Sequence, residues 1–156
     1  LSLRRQRQMC IRDRFNRSFP SSAIVADLRS DPTILGNKLK LHQVLMNLVM
    51  NAKDAIEGRP DGRIAIHLYS LDDRVELSVA DNGVGIPYEN QTKIWEPFFT
   101  TKGKQGTGLG LDLVKRLVEA QHGWIQMHSE PGLGTEFTLS FPIVASPVEC
   151  DVNLMM

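Results

Sequence analysis

Three groups of residues have the types and spacing to act on an oxygen-rich, charged ligand. Asn47, Asn51 and Asp54 recur at i, i+4 and i+7, so on a helix they share one stripe. Asparagine is a poor helix-interior residue, and two in successive turns ask for a reason; a solvated helix face explains this helix alone equally well. Asp81 continues the alternation of Val75, Leu77 and Val79 onto the inward side of a strand. A carboxylate there is costly unless something donates hydrogen bonds to it, as an adenine exocyclic amine would. The competing reading is an aspartate that opens a plain Asp-Asn-Gly turn, although Gly83 and Gly85 also permit close approach to a base. Gly106, Gly108 and Gly110 precede an amphipathic segment, where free N–H groups and the helix dipole suit phosphate. Their spacing is neither the dinucleotide fingerprint nor a Walker A loop. Lys102 or Lys104 can reach phosphate oxygens from the preceding loop, with Thr100 and Thr101 as minor donors; a merely solvated loop explains Lys104 equally well.

The segments Asn47-Leu-Val-Met-Asn51-Ala-Lys-Asp54-Ala55, Asp81-Asn-Gly83-Val-Gly85-Ile86, Glu96-Pro-Phe-Phe-Thr-Thr-Lys102 and Gly106-Thr-Gly108-Leu-Gly110-Leu111 occur in that order. Together they resemble the N, G1, F and G2 boxes of the sensor histidine kinase ATP-binding domain, over roughly Ser22 to Pro142. The resemblance implies a Bergerat-type fold, ATP and Mg²⁺ as ligands, and Asn51 as the metal ligand through its amide oxygen. It implies that Asp81 reads adenine, with Thr135 nearby; a threonine that merely starts a strand is the even alternative. Phe98 and Phe99 would hinge or anchor a lid, unless one of them simply packs in the core. The implied nucleotide site comprises Asn47, Asn51, Asp54, Asp81, Gly83, Gly85, Ile86, Phe99, Thr100, Thr101, Lys102, Gly106, Thr107, Gly108, Leu109, Gly110 and Thr135, with Asn51 and Lys102 as its catalytic members.

The departures from the wider superfamily are informative. Its gyrase-, Hsp90- and MutL-like members carry a water-activating glutamate one turn before the metal asparagine. Asn47 stands there, and an amide cannot act as a general base. The γ-phosphate is then expected to go to a histidine; the alternatives are a nucleotide-binding regulatory module without phosphotransfer, or a gyrase-, Hsp90- or MutL-like ATPase. None of His42, His67, His122 or His128 precedes an acidic residue, as family acceptors usually do. The acceptor is therefore expected upstream, in a dimerising helical hairpin of a homodimer, with a response regulator receiver domain as second partner. Many kinases place Lys or Arg where Asp54 stands. With Asp54-Ala55 and the Glu96 to Lys102 segment, the chain looks like the nitrogen-, oxygen- and dicarboxylate-sensing subgroup, with Trp95 replacing a more usual Phe. The resemblance implies a cytoplasmic domain whose intact parent can be anchored in the inner membrane.

These residues need elements to hold them. Ile24–Leu28 reads as a strand and Thr33 to Leu35 as a second short one. A helix is expected from Lys38 to Glu57, with Leu41, Val44, Leu45, Leu48, Ala52 and Ile56 inward. A hairpin follows, Arg63 to Ser70 and Arg74 to Asp81. A short helix from Glu89 to Trp95 ends at Pro97, and Thr100 to Thr107 is expected to be a mobile loop. A second helix runs from Leu109 to Gln121, with Leu111, Val114, Leu117 and Val118 inward. Strands Gly123 to Ser129 and Thr135 to Phe141 complete an α+β, two-layer α/β sandwich, one mixed sheet covered on one face by helices.

The 156 residues suit one domain, and two cysteines, Cys10 and Cys150, suit a reducing compartment rather than a disulfide framework. Residues 1–14 carry five arginines against Asp13, a net of +4; the neutral total of 18 basic and 18 acidic residues leaves residues 15–156 at −4. That balance, with no aromatic residues among the arginines, argues against nucleic-acid binding. Met9-Cys-Ile-Arg-Asp-Arg14 is what ATG-TGT-ATA-AGA-GAC-AGR encodes, the pattern of a transposase mosaic-end adapter. Residues 1–14 are expected to be such an artefact or the remnant of an upstream linker, residues 15–145 the domain, and residues 146–156 a loose tail.

Overall fold

The computed structural model describes residues 24–28, 34–103 and 110–143. Its sheet has five strands, β1 (Ile24–Leu28), β2 (Ile64–Ser70), β3 (Arg74–Asp81), β4 (Trp124–Glu130) and β5 (Gly134–Pro142), in the order β1-β2-β3-β5-β4. β1 pairs parallel with β2 and every other neighbour is antiparallel, so the sheet is mixed. A parallel pair needs a crossover, and helix α1 (Lys38–Ala55) supplies it between β1 and β2. A second helix, α2 (Gly110–Glu119), precedes β4. In place of a strand from Thr33 to Leu35, the described part of that segment makes a single bridge, Ile34 to Ile143.

Period-2 patterning decides which sheet face is covered. Ile64, Ile66, Val79, Phe137, Leu139 and Phe141 point to one side and are buried with Val44, Leu48, Val49 and Ala52 of α1 and Val114 and Val118 of α2. Trp95 meets Phe137 edge to face, ring centroids 6.0 Å apart, and closes one side of the core. The opposite face carries His67, Glu76, Gln126 and His128, so the sandwich has two layers.

Helix α1 begins at Asn37, whose side-chain oxygen accepts from Leu39 N at 2.9 Å and Lys40 N at 3.1 Å. It ends at Ala55, two residues before the end its periodicity suggests. The reason is tertiary: Val84 N donates to the Ala55 carbonyl at 3.0 Å, and Gly58 at φ +76° turns the chain away. The segment expected to form a helix from Glu89 to Trp95 is instead two 3₁₀ turns, Tyr88–Asn90 and Lys93–Trp95. Gln91 lies between them, its amide donating to the carbonyls of Ile86 at 3.0 Å and Ser129 at 3.1 Å. α2 begins at Gly110 and ends at Glu119, inside the expected bounds; Leu109 lies outside the described residues. The proposed artefact at 1–14 and the tail at 146–156 lie outside them too. No helix among the described residues is long and apolar enough to cross a membrane.

Candidate functional site

The site grows from the junction between the end of α1 and the end of β3. Asp81 is the last residue of β3, opposite Ile64 on one side and Thr135 on the other. Its Oδ1 accepts from Gly83 N at 2.8 Å, and the Thr135 backbone N–H also donates to the carboxylate. Asp81 therefore does open an Asp-Asn-Gly turn, and it does so on the inward side of the sheet. Burial pushes its carboxyl above the ordinary range; the Gly83 and Thr135 N–H groups and the charge of Arg59 pull it partly back.

Gly83 fixes this carboxylate against α1. An ideal Cβ there would lie 2.4 Å from the Ala55 carbonyl oxygen, so only glycine lets the turn lie on the helix end. Asn51 and Asp54 occupy the last two turns of the same helix, one half-buried and the other exposed. The turn chemistry thus joins the carboxylate of β3 to the amide and carboxylate of α1. Asn47 is half-buried one turn earlier on the same stripe.

The Asp81 end is held by polar groups that were not anticipated from sequence. Ser129 Oγ, nearly buried, accepts from Ile86 N at 2.8 Å, lies 3.0 Å from the Gly134 carbonyl and shares a hydrogen bond of 2.8 Å with Thr135 Oγ1. Arg59 donates to the carbonyls of Asn82 and, at 3.2 Å, Gly132. Asn82 accepts from Arg63 N at 2.6 Å, donates its amide to Asp61 O at 2.9 Å, and donates its backbone N–H to Arg63 O at 3.3 Å. Ser129 carried the same signal as Asp81, a polar residue at an inward position after Ile125 and Met127; Arg59 and Asn82 carried none. Replacing Ser129 with Ala leaves the Ile86 N–H without its acceptor and should destabilise the fold by about 1–3 kcal/mol in chemical denaturation.

The segment after Glu96 divides its two phenylalanines. Phe99 packs against the core, while Phe98 is 76% exposed with φ +67°, a strained setting for a bulky residue. Thr100 Oγ1 accepts from Lys102 N at 3.0 Å, and Thr101 is exposed. Lys102 turns toward α1: its Nζ lies 3.1 Å from Asn51 Oδ1 and forms an ion pair with Asp54 Oδ2. Lys104, Gly106, Thr107, Gly108 and Leu109 lie outside the described residues. Gly110 is the first residue of α2, and a Cβ there would meet open space. Asn51 and Asp54 present hard oxygen donors on one rim, a set that fits magnesium; among the described residues no cluster of three or more His, Cys, Asp or Glu competes with it.

Residues 36–145 match the family described as histidine kinase-, DNA gyrase B-, and HSP90-like ATPase. The chain is 48% identical over 103 residues, 66% of its length, to the signal transduction histidine-protein kinase AtoS of Escherichia coli K12, of which it spans 17%. The catalytic domain of histidine kinase ThkA, in a nucleotide-free form, superposes with a TM-score of 0.72 at 31% identity, covering 85% of this chain and 89% of that one. Full-length ShkA, solved in complex with AMPPNP, gives 0.67 at 35% identity, covering 80% of this chain and 27% of that one.

Proposed function

Because the chain belongs to the histidine kinase-, DNA gyrase B-, and HSP90-like ATPase family, and its relatives AtoS and ThkA are histidine kinases, we propose that it binds Mg²⁺-ATP and supplies the γ-phosphate to a histidine on a separate helical domain. The observation that carries this reading is the contact between the Asp81 turn and the end of α1, made through Gly83. It brings the Asp81 turn against the end of the helix whose last two turns carry Asn51 and Asp54, which supports one site for the base and the metal.

Asp81 would accept the adenine exocyclic amine, helped by Thr135 and Ser129, which fix the neighbouring strand. Asn51 would hold the magnesium ion through its amide oxygen. The bound ion's contribution is charge neutralisation at the phosphates. Gly106, Thr107, Gly108, Leu109 and Gly110 would present N–H groups to the phosphates, with Thr100 and Thr101 as minor donors. Ile86 and Phe99 would line the pocket.

In the transfer, the bond between γ-phosphorus and the β,γ-bridging oxygen breaks while a phosphorus–nitrogen bond forms to an imidazole. ADP leaves, and the imidazole proton passes to solvent or a neighbouring base. Asn47 supports transfer over hydrolysis, because an amide beside the phosphates cannot take a proton from water. The proposed partners are the helical domain of a homodimer and the receiver domain of a response regulator. A cytoplasmic setting, with or without an anchored parent, belongs to this proposal.

Calorimetric titration of ATP into the full chain, with and without Mg²⁺, tests the reading. Wild type should bind far more tightly with the metal. Asn51→Ala should erase that difference and weaken Mg²⁺-ATP binding at least tenfold, the size of one lost charge-assisted contact of about 1.5–3 kcal/mol. A folded wild-type chain that binds no nucleotide in either buffer overturns the proposal.

A further inference from the structure

Lys102 does not stand free above the site: its ammonium sits between two oxygens of α1. Nζ is 3.1 Å from Asn51 Oδ1 and ion-paired with Asp54 Oδ2, reaching there from 48 residues further along the chain. The backbone of the segment is turned to allow it, with Lys102 N donating to Thr100 Oγ1 and Gly103 at φ +58°. The Asn51 oxygen is the same atom that the reading above gives to a divalent ion, and the present inference rests on that reading.

A magnesium–oxygen bond is about 2.1 Å long. An ammonium using the same lone pairs and an ion at that distance exclude each other, by volume and by like charge. We propose that Asn51 Oδ1 and Asp54 Oδ2 form one cation seat with two alternative occupants, the divalent ion and the chain's own Lys102 ammonium. Asp54 is then the second side-chain oxygen of the metal position, and Lys102 is its built-in competitor. The Lys102 and Asp54 side chains are 42% and 43% exposed, so exchange requires only a swing of the lysine. Metal entry displaces the ammonium and frees the segment from Thr100 to Gly103 from α1. Metal exit lets it dock again. The lysine released in this way is free to turn to a phosphate, which places its two roles in sequence.

The test uses Mn²⁺ alone, without nucleotide, so that no phosphate contact of Lys102 enters the measurement. Mn²⁺ is titrated into the full chain and followed by paramagnetic broadening of the backbone amide signals of α1. Broadening should centre on the turns that hold residues 51 and 54. Lys102→Met should tighten Mn²⁺ binding about threefold, the strength of a solvent-exposed ion pair. Asp54→Asn should weaken it about tenfold although its own competitor is loosened, and retained dispersion of the amide signals reports that each variant is folded. Trypsin gives a second readout: cleavage after Lys102 should accelerate when Mn²⁺ is added to wild type, and in Asp54→Asn it should be fast without metal.

Equal or weaker Mn²⁺ affinity in Lys102→Met overturns the inference, as does broadening that spares α1 or cleavage indifferent to both metal and Asp54→Asn. Those results would leave Mg²⁺-dependent ATP binding and its loss in Asn51→Ala untouched, so failure here is distinguishable from failure of the proposed function.

Discussion

Asp81→Asn is expected to remove nucleotide binding while leaving the unliganded fold at least as stable as wild type. The side chains are nearly isosteric, but an amide turned with its oxygen toward Gly83 N presents an NH₂ where the carboxylate offers an acceptor. The adenine amine then faces a donor in a half-buried site. Losing a charge-assisted hydrogen bond and leaving donors unpaired costs about 3 kcal/mol, roughly a hundredfold or more in affinity. Calorimetry with ATP at pH 7 measures it, and retention of wild-type affinity would remove Asp81 from the base-reading role.

The stability half of this prediction follows from the direction of the Asp81 shift. Burial raises its folded-state pKa above the unfolded value. The fold therefore favours the protonated form; that contribution is complete below the unfolded pKa and is lost as pH rises through the folded one. Where the wild-type carboxylate is ionised its surroundings penalise it, and Asn carries no such charge. The thermal midpoint of Asp81→Asn should equal or exceed that of wild type at pH 7, and any advantage should disappear in acid, where both side chains are neutral. A large drop at pH 7 would show Asp81 to be structural first. The same shift makes wild-type nucleotide affinity fall as acid protonates Asp81.

The second large effect is on the fold. Gly85 has φ +69°, and a Cβ there would lie 2.2 Å from the Glu130 carbonyl oxygen and 3.0 Å from Pro131 Cα. Gly85→Ala meets both the left-handed backbone penalty and a backbone clash that pushes the Asp81 turn off the β4–β5 turn, where Gly132 N donates to Val84 O at 2.8 Å. The two together should cost about 3 kcal/mol, a fall in midpoint on the order of 10 °C. Gly132→Ala is the matched control: its φ is +82°, but a Cβ would touch nothing within 4 Å. It should cost about 1 kcal/mol. If the two substitutions are equally mild, the close approach of the two turns is not what holds them together.

These residues also show where sequence reasoning succeeds and stops. The stripe of Asn47, Asn51 and Asp54 was legible because helical periodicity is local, and Asp81 because a strand's parity puts every second residue on one face. The same parity could have marked Ser129, which the sequence reading missed; Thr135, expected from the resemblance alone, shares a hydrogen bond with it. The end of α1 at Ala55 was not legible, because the group that takes its carbonyl, Val84 N, lies on a distant loop. The 3₁₀ turns around Gln91 follow from side-chain bonds to Ile86 and Ser129, not from propensity. The pairing of Lys102 with Asp54 is also tertiary: the phosphate role read from its loop position said nothing of its contact with α1.

The clasp around Asn82 has a consequence for the order in which a ligand is taken up. Five hydrogen bonds join Arg59, Asp61 and Arg63 to Asn82 and Gly132 beside the Asp81 turn, whereas an exposed ion pair and one amide contact hold Lys102 at the other end. With five bonds against two contacts, the first end should be the more ordered before a ligand arrives, and the second should exchange at less free-energy cost. On the proposed reading, the purine meets a seat already formed, and the entropy of ordering falls on the triphosphate half of the encounter. ADP and ATP should thus share a similar first docking step and part company only in how firmly the far end closes.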